Sequence, residues 1–229
     1  MKKNVLITGA SGNLGKATVE KFLKEGYQVI ATVAPGIELT GVPEGAVVTY
    51  ETDLTNEKSA EAAITKIIAH HKSIDVAILT VGGFVAGTIE TTDHTALEKM
   101  MTLNFNTAYF VARPVFRQML LQSSGRIVFI GARPALEPAA GKKSVAYSLS
   151  KTLIFKLAEL LNAEAIGKNV VASVIVPSTI DTPANRKDMP TANFSQWVSP
   201  EEIARAIYFL VSDEGKALRN PVLKMYSGN

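Results

Sequence analysis

The chain has 229 residues, 47% of them hydrophobic, no cysteine, and a formal charge of +3 from 24 basic and 21 acidic side chains. That is enough apolar material for one sizeable core. The missing thiols exclude disulfides, thiolate metal sites and a cysteine nucleophile, and the scattered Lys and Arg form no stripe for nucleic acid. No run approaches the ~18 apolar residues of a membrane span, and the stretch before Gly9 is too short for the core of a secretion signal. A cytoplasmic protein that engages neither membrane nor nucleic acid is expected.

Val5-Leu6-Ile7 is a short apolar run that meets Thr8-Gly9-Ala10-Ser11-Gly12-Asn13-Leu14-Gly15, after which Ala17, Val19, Phe22 and Leu23 repeat at helical spacing as far as Gly26. The pattern predicts strand, glycine turn and helix. Glycines at 9, 12 and 15 would permit a tight turn, close approach of backbone to a pyrophosphate, and packing of helix on strand. An ordinary glycine-rich turn is the alternative. Residues 27–33 make a second strand, so the unit implies parallel pairing with a right-handed crossover. A dinucleotide site would carry an acid for the ribose, or an Arg for a 2′-phosphate, at the end of this strand. Val33-Ala34-Pro35 offers neither, and Glu38 is the nearest acid.

A third strand is predicted over 46–50, followed by Asp53-Leu54-Thr55, where Asp53 suits either an adenine site or, like Thr55, the cap of a helix over 56–71. His70 and His71 at that helix's end are expected to face solvent, and no histidine has ligand-spaced neighbours, so no metal site is expected. Residues 75–79 form a fourth strand running into Thr80-Val81-Gly82-Gly83-Phe84, where the glycine pair serves a cofactor or a plain turn. From Thr91 a long helix is predicted, with a kink at Pro114. Asn104 and Asn106 interrupt its apolar pattern, and a buried amide there needs hydrogen-bond partners. The fifth strand is 125–130, with a loop from Gly131 to Val145.

A helix over 147–166 follows, with Tyr147 and Lys151 at i and i+4 on one face. An ammonium near a phenol favours phenolate, so a lowered Tyr147 pKa is expected, suited to proton transfer. The sixth strand spans 170–176 and ends at Pro177; a polar segment reaches Val198; Ser199-Pro200-Glu201-Glu202 starts a capped helix; a last strand occupies 222–226. Alternating strands and helices predict an α/β fold: a single-domain, doubly wound Rossmann sheet of seven parallel strands with helices on both faces. Its cofactor half covers about 1–130 and its catalytic half about 131–229.

Thr8-Gly9…Gly12…Gly15, Asp53-Leu54, Gly82-Gly83, Asn104, Tyr147-x-x-x-Lys151 and Pro177…Thr182, in this order, resemble the short-chain dehydrogenase/reductase family across essentially the whole chain. The resemblance implies an NAD(P)-dependent oxidoreductase with NAD or NADP as cofactor. Tyr147 would be the proton donor or acceptor, Lys151 would lower its pKa and hold the nicotinamide ribose, and Asn104 would anchor a water in a proton relay. The cofactor would rest on Gly9, Ser11, Gly12, Asn13, Leu14 and Gly15, on Val33, Asp53 and Leu54, and on Thr80, Val81 and Gly82. Pro177, Ile180 and Thr182 would border its nicotinamide, and Phe84, Ala132, Arg133 and Trp197 would face the small-molecule substrate.

Two departures stand out. Gly12 carries the glycine that the family places at the position of Asn13, whose tolerance of left-handed backbone is expected to preserve phosphate binding. The catalytic serine of the family aligns with Ala132. Gly131 to Leu136, and more specifically Asp181 through Met189-Pro190 to Phe194-Ser195-Gln196-Trp197, resemble dihydropteridine reductase, a branch that also lacks the serine and reduces a quinonoid dihydropterin with NADH. This chain keeps Asn104 and lacks that branch's acid after the second strand. A cofactor-sensing regulator without turnover is the alternative from another class, and Ser144 or Ser148 could replace the lost hydroxyl. The broadly apolar Tyr147 helix, together with the resemblance, implies a homodimer or homotetramer assembled through it.

Overall fold

The computed structural model describes residues 2–227. The elements alternate as β1 (Asn4–Thr8), α1 (Asn13–Lys24), β2 (Gln28–Val33), β3 (Val47–Glu51), α2 (Glu57–His71) and β4 (Val76–Leu79). Next come α3 (His94–Met100), a π-helical stretch (Met101–Asn106), α4 (Thr107–Gln122), β5 (Ser124–Ile130), α5 (Arg133–Leu136) and α6 (Pro138–Gly141). The chain continues through α7 (Val145–Glu164), β6 (Asn169–Pro177), α8 (Pro183–Asp188), a 3₁₀ turn (Phe194–Gln196), α9 (Pro200–Val211) and β7 (Val222–Met225).

All seven strands pair in parallel in the order β3-β2-β1-β4-β5-β6-β7. The chain winds outward from β1 in one direction and restarts at β4 in the other. The gap between the carboxyl ends of β1 and β4 is therefore the switch point where such sheets take ligand. Side-chain alternation along each strand builds two cores. Leu6, Ile30, Ala77, Phe129 and Val174 face one side with Ile64, Val115 and Ile154 from α2, α4 and α7. Val5, Ile7, Val29, Ile78 and Ile175 face the other with Phe22, Ile203 and Ile207 from α1 and α9. Because both faces are covered, the inner strands are apolar at nearly every position. Among the described residues no helix is long and apolar enough to cross a membrane.

Several local expectations are corrected. Neither Asp53 nor Thr55 caps α2: Asn56 does, accepting from Ser59 N, while Asp53 Oδ1 accepts from Thr55 N and Oγ1 in its own turn. The long helix starts at His94, capped by Asp93, because Thr88 to Thr92 close a separate turn. Its regular winding breaks at Met101–Asn106, and α4 runs on through buried Pro114. The segment after β5 is ordered as α5 and α6, and the Tyr147 helix begins two residues early, at Val145. His71 is half-buried against Tyr50, with 3.3 Å between Nε2 and the phenol oxygen, and burial lowers its pKa.

Candidate active site

At the switch point Gly9 has φ +63°, the left-handed backbone that turns the chain from β1 toward α1. Asn13 is already helical and Gly12 is extended at φ −74°, so the left-handed tolerance expected of Asn13 is not used. Gly15 has a different reason: a Cβ there would sit 2.2 Å from Gly9 O and 2.8 Å from Ala10 Cα. Only a hydrogen fits between the turn and the helix that leaves it. The first turn of α1 lines a cavity of about 410 Å³, where helix polarity favours an anion.

That cavity gathers Gly9, Ser11, Gly12, Asn13, Leu14, Gly15, Val33, Asp53, Leu54, Thr80, Val81, Gly82, Ile180 and Thr182, all residues singled out by the sequence. Thr32, Ala34, Pro35, Thr52, Thr55, Leu103 and Thr107 join them. Their signal is positional, since they adjoin β2, β3 and the π-helical stretch at the same sheet end. Three glycines, a helix N-terminus and an elongated cleft across several strand ends fit a dinucleotide, with the pyrophosphate at the glycine turn. Pro177, Tyr147 and Lys151 do not line this cavity.

Tyr147 and Lys151 lie just beyond it, joined to it through Gly82. A Cβ on Gly82 would stand 2.7 Å from Asn104 Oδ1 and 3.3 Å from Lys151 Nζ, so this glycine lets the cavity floor press against both. Lys151 is 6% exposed, and its ammonium donates to Ile130 O at 2.8 Å. No hydrogen bond joins it to Tyr147 among the described residues. Burial brings Lys151 down to about 8 and pushes Tyr147 up to about 12. The lowered Tyr147 pKa expected from the sequence is thus reversed, because burial strips water from the phenol and disfavours its charged form. Tyr147 stands as a neutral phenol at ordinary pH.

Asn104 is 1% exposed and turned inward by the π-helical stretch. Its Oδ1 accepts from Gly83 N at 2.9 Å, while Nδ2 donates to Gly83 O at 3.1 Å and Ser150 Oγ at 3.0 Å. The amide thereby pairs with Gly83 as an adjacent strand would, and fixes the segment leaving β4.

Residues 3–193 match the family model for short chain dehydrogenase. The chain is 30% identical to an acetoacetyl-CoA reductase of an Acinetobacter strain, covering 99% of this chain and 97% of that protein. It is 28% identical to a dihydropteridine reductase of Dictyostelium discoideum, over 91% of this chain and 87% of the relative. The solved structure of ElxO with NADP bound superposes with a TM-score of 0.91 at 26% identity, covering 100% of this chain and 98% of that one. The chain belongs to the short-chain dehydrogenase family. It is accordingly an NAD(P)-dependent oxidoreductase.

On the substrate side the predicted residues separate. Phe84 is 63% exposed and stands edge-on to Tyr147, with ring centroids 5.1 Å apart. The pairing of Gly87 with Lys143 and Val145 holds its segment over the start of α7. Ala132, 3% exposed, ends the β5 exit without a hydroxyl. Arg133 turns away to Glu137, 2.6 Å from Nε, and lies over the Tyr226 ring. Trp197 packs on Phe194, which in turn lies under Arg186, itself paired with Asp181. Among the described residues no hydrogen bond or ring contact joins Arg133 or Trp197 to Tyr147. Ser148 Oγ donates to Ser144 O at 2.8 Å, and both serine hydroxyls turn toward Gly141 O.

Proposed function

We propose that this short-chain dehydrogenase reduces a small oxidised substrate, a quinonoid dihydropterin or a small carbonyl compound, with Tyr147 delivering the proton. The observation that carries this reading is the continuity from the dinucleotide cavity through Gly82 to Lys151 Nζ and on to Tyr147 on the same helix face. NADH or NADPH, when bound, supplies the hydride. Gly9 through Gly15 hold the pyrophosphate end, and the remaining donors of the Lys151 ammonium are available for the ribose and for Tyr147.

Burial keeps Tyr147 protonated, as a donor must be at the moment substrate basicity rises. The Lys151 cation then stabilises the phenolate left behind. With Ala132 at the serine position a ketone oxygen has one donor fewer, a loss worth about 10²–10³ in rate at comparable oxyanion sites. That deficit favours a substrate needing a proton more than a second hydroxyl, and the exposed Phe84 ring offers a flat wall beside Tyr147. The resemblance to both an acetoacetyl-CoA reductase and a dihydropteridine reductase is compatible with either substrate class. On this reading residues 1–130 carry the cofactor and 131–229 the chemistry, in a cytoplasmic enzyme.

Tyr147→Phe is expected to abolish NADPH- and NADH-driven reduction of quinonoid dihydropterin and of acetoacetyl-CoA while leaving cofactor affinity within about twofold. Full turnover in that variant on either compound sinks the assignment. Ala132 also favours a second reading, a cofactor-sensing regulator; it would bind NAD(P)H and turn over nothing on a broad carbonyl and quinonoid panel. Finally, Leu149, Leu153 and Leu160 are exposed along one stripe of α7. Apolar area of this kind supports assembly into a homodimer or homotetramer through that face.

A further inference from the structure

We propose that Ser150 is a positioning residue whose hydroxyl keys the Tyr147 helix to the floor of the dinucleotide cavity. The inference rests on the reading of Tyr147 and Lys151 as the reacting pair. Ser150 is 0% exposed and lies between them on α7. Its Oγ donates to Tyr147 O at 2.8 Å and accepts from Asn104 Nδ2 at 3.0 Å. A hydroxyl has one proton, so donating to Tyr147 O obliges Ser150 to accept on its other side. The Asn104 group facing it must then be the NH₂, and Oδ1 is left to receive Gly83 N.

The Ser150 hydroxyl therefore completes the set of partners, Gly83 N and O being the others, that holds a buried amide in one orientation. Through that amide it fixes Gly83, and with it Gly82, whose close approach brings the cavity floor against Lys151. Three separate pieces of chain converge here: the exit of β4, the π-helical stretch and the first turns of α7. Without the hydroxyl, one Asn104 N–H keeps only the Met100 sulfur at 3.6 Å. A buried amide poorly satisfied on one side is held less firmly, and its grip on Gly83 N and O loosens with it.

The test uses Ser150→Ala in the full chain, with Ser150→Cys as the near-isosteric alternative that keeps the volume and loses the strong hydroxyl. Hydrogen exchange at the Gly83 amide is expected to quicken about tenfold, the scale of one buried hydrogen bond. Exchange in β1 and β5 should be unchanged, and NADPH affinity should stay within about twofold. With quinonoid dihydropterin as the probe, kcat should fall about tenfold at unchanged KM. The losses from Ser150→Ala and Asn104→Ala should not add, because one acts through the other. Unchanged Gly83 exchange in both Ser150 variants, or effects that simply add, overturns the proposal. If Tyr147→Phe keeps full turnover, the proton-donor reading fails by itself, and Gly83 exchange still decides the role of Ser150.

Discussion

Lys151 is expected to weaken the fold it serves, and the sign and size of that cost can be worked out. Burial lowers its pKa from 10.5 to about 8 in the folded chain. Each unit is worth about 1.4 kcal/mol, so below pH ~8 the buried ammonium costs roughly 3 kcal/mol relative to a neutral group. The unfolded chain binds the extra proton between the two pKa values, so stability from this residue rises with pH across that window. About 2 kcal/mol of the cost is regained between roughly pH 7 and pH 9.5. Tyr147, raised from 10.0 to about 12, acts with the opposite sign but at higher pH, and its shift is caused by burial alone.

Lys151→Met keeps the length of the side chain and removes the charge. It also leaves Ile130 O without its donor, which offsets about 1–3 kcal/mol of the gain. The absolute change at pH 7 is therefore small, and the pH dependence is the discriminating quantity. The stability of the variant relative to wild type should fall by about 2 kcal/mol from pH 7 to pH 9.5, or roughly 4–8 °C in midpoint for a chain of this size. Urea or thermal unfolding at matched protein concentration measures it, since concentration alone shifts the midpoint of an oligomer. Parallel pH profiles for the two proteins would refute the reasoning, because they would mean that Lys151 has an ordinary pKa in the fold.

Two further outcomes follow from the geometry. Gly15→Ala drives a methyl to within 2.2 Å of Gly9 O, where backbone cannot yield without reshaping the turn. A stability loss of about 1–3 kcal/mol is expected, along with at least tenfold weaker NADPH binding by fluorescence titration; wild-type affinity contradicts the role given to this turn. Leu160→Glu places a charge in the exposed α7 stripe, so sedimentation should show a smaller assembly while the monomer's circular dichroism stays unchanged. An unaltered oligomer moves the interface elsewhere.

The strand and helix order, the glycine turn and the placing of Tyr147 and Lys151 one turn apart on a helix were legible in the sequence because they depend on local periodicity and spacing. Residues three, four or two apart share a face whatever the rest of the chain does. Thus Val5-Leu6-Ile7 with Gly9 and Gly15 announces a crossover unit, and the cavity gathers the residues of that turn. The same reasoning misplaced the start of α3 and the cap of α2, where neighbouring Thr, Asp and Asn side chains compete for one role and only packing selects among them.

What tertiary structure decided is the electrostatic state of the site and its internal wiring. Spacing brings Lys151 near Tyr147, but the direction of the Tyr147 shift depends on how much water the folded chain removes, a quantity set by residues far away in sequence. Burial wins, and the phenol is held neutral. The turning inward of Asn104, its hold on Gly83 and the link through Ser150 likewise join positions 21 and 46 residues apart. No periodicity carries that information, because it arises only when the exit of β4, the π-helical stretch and α7 meet.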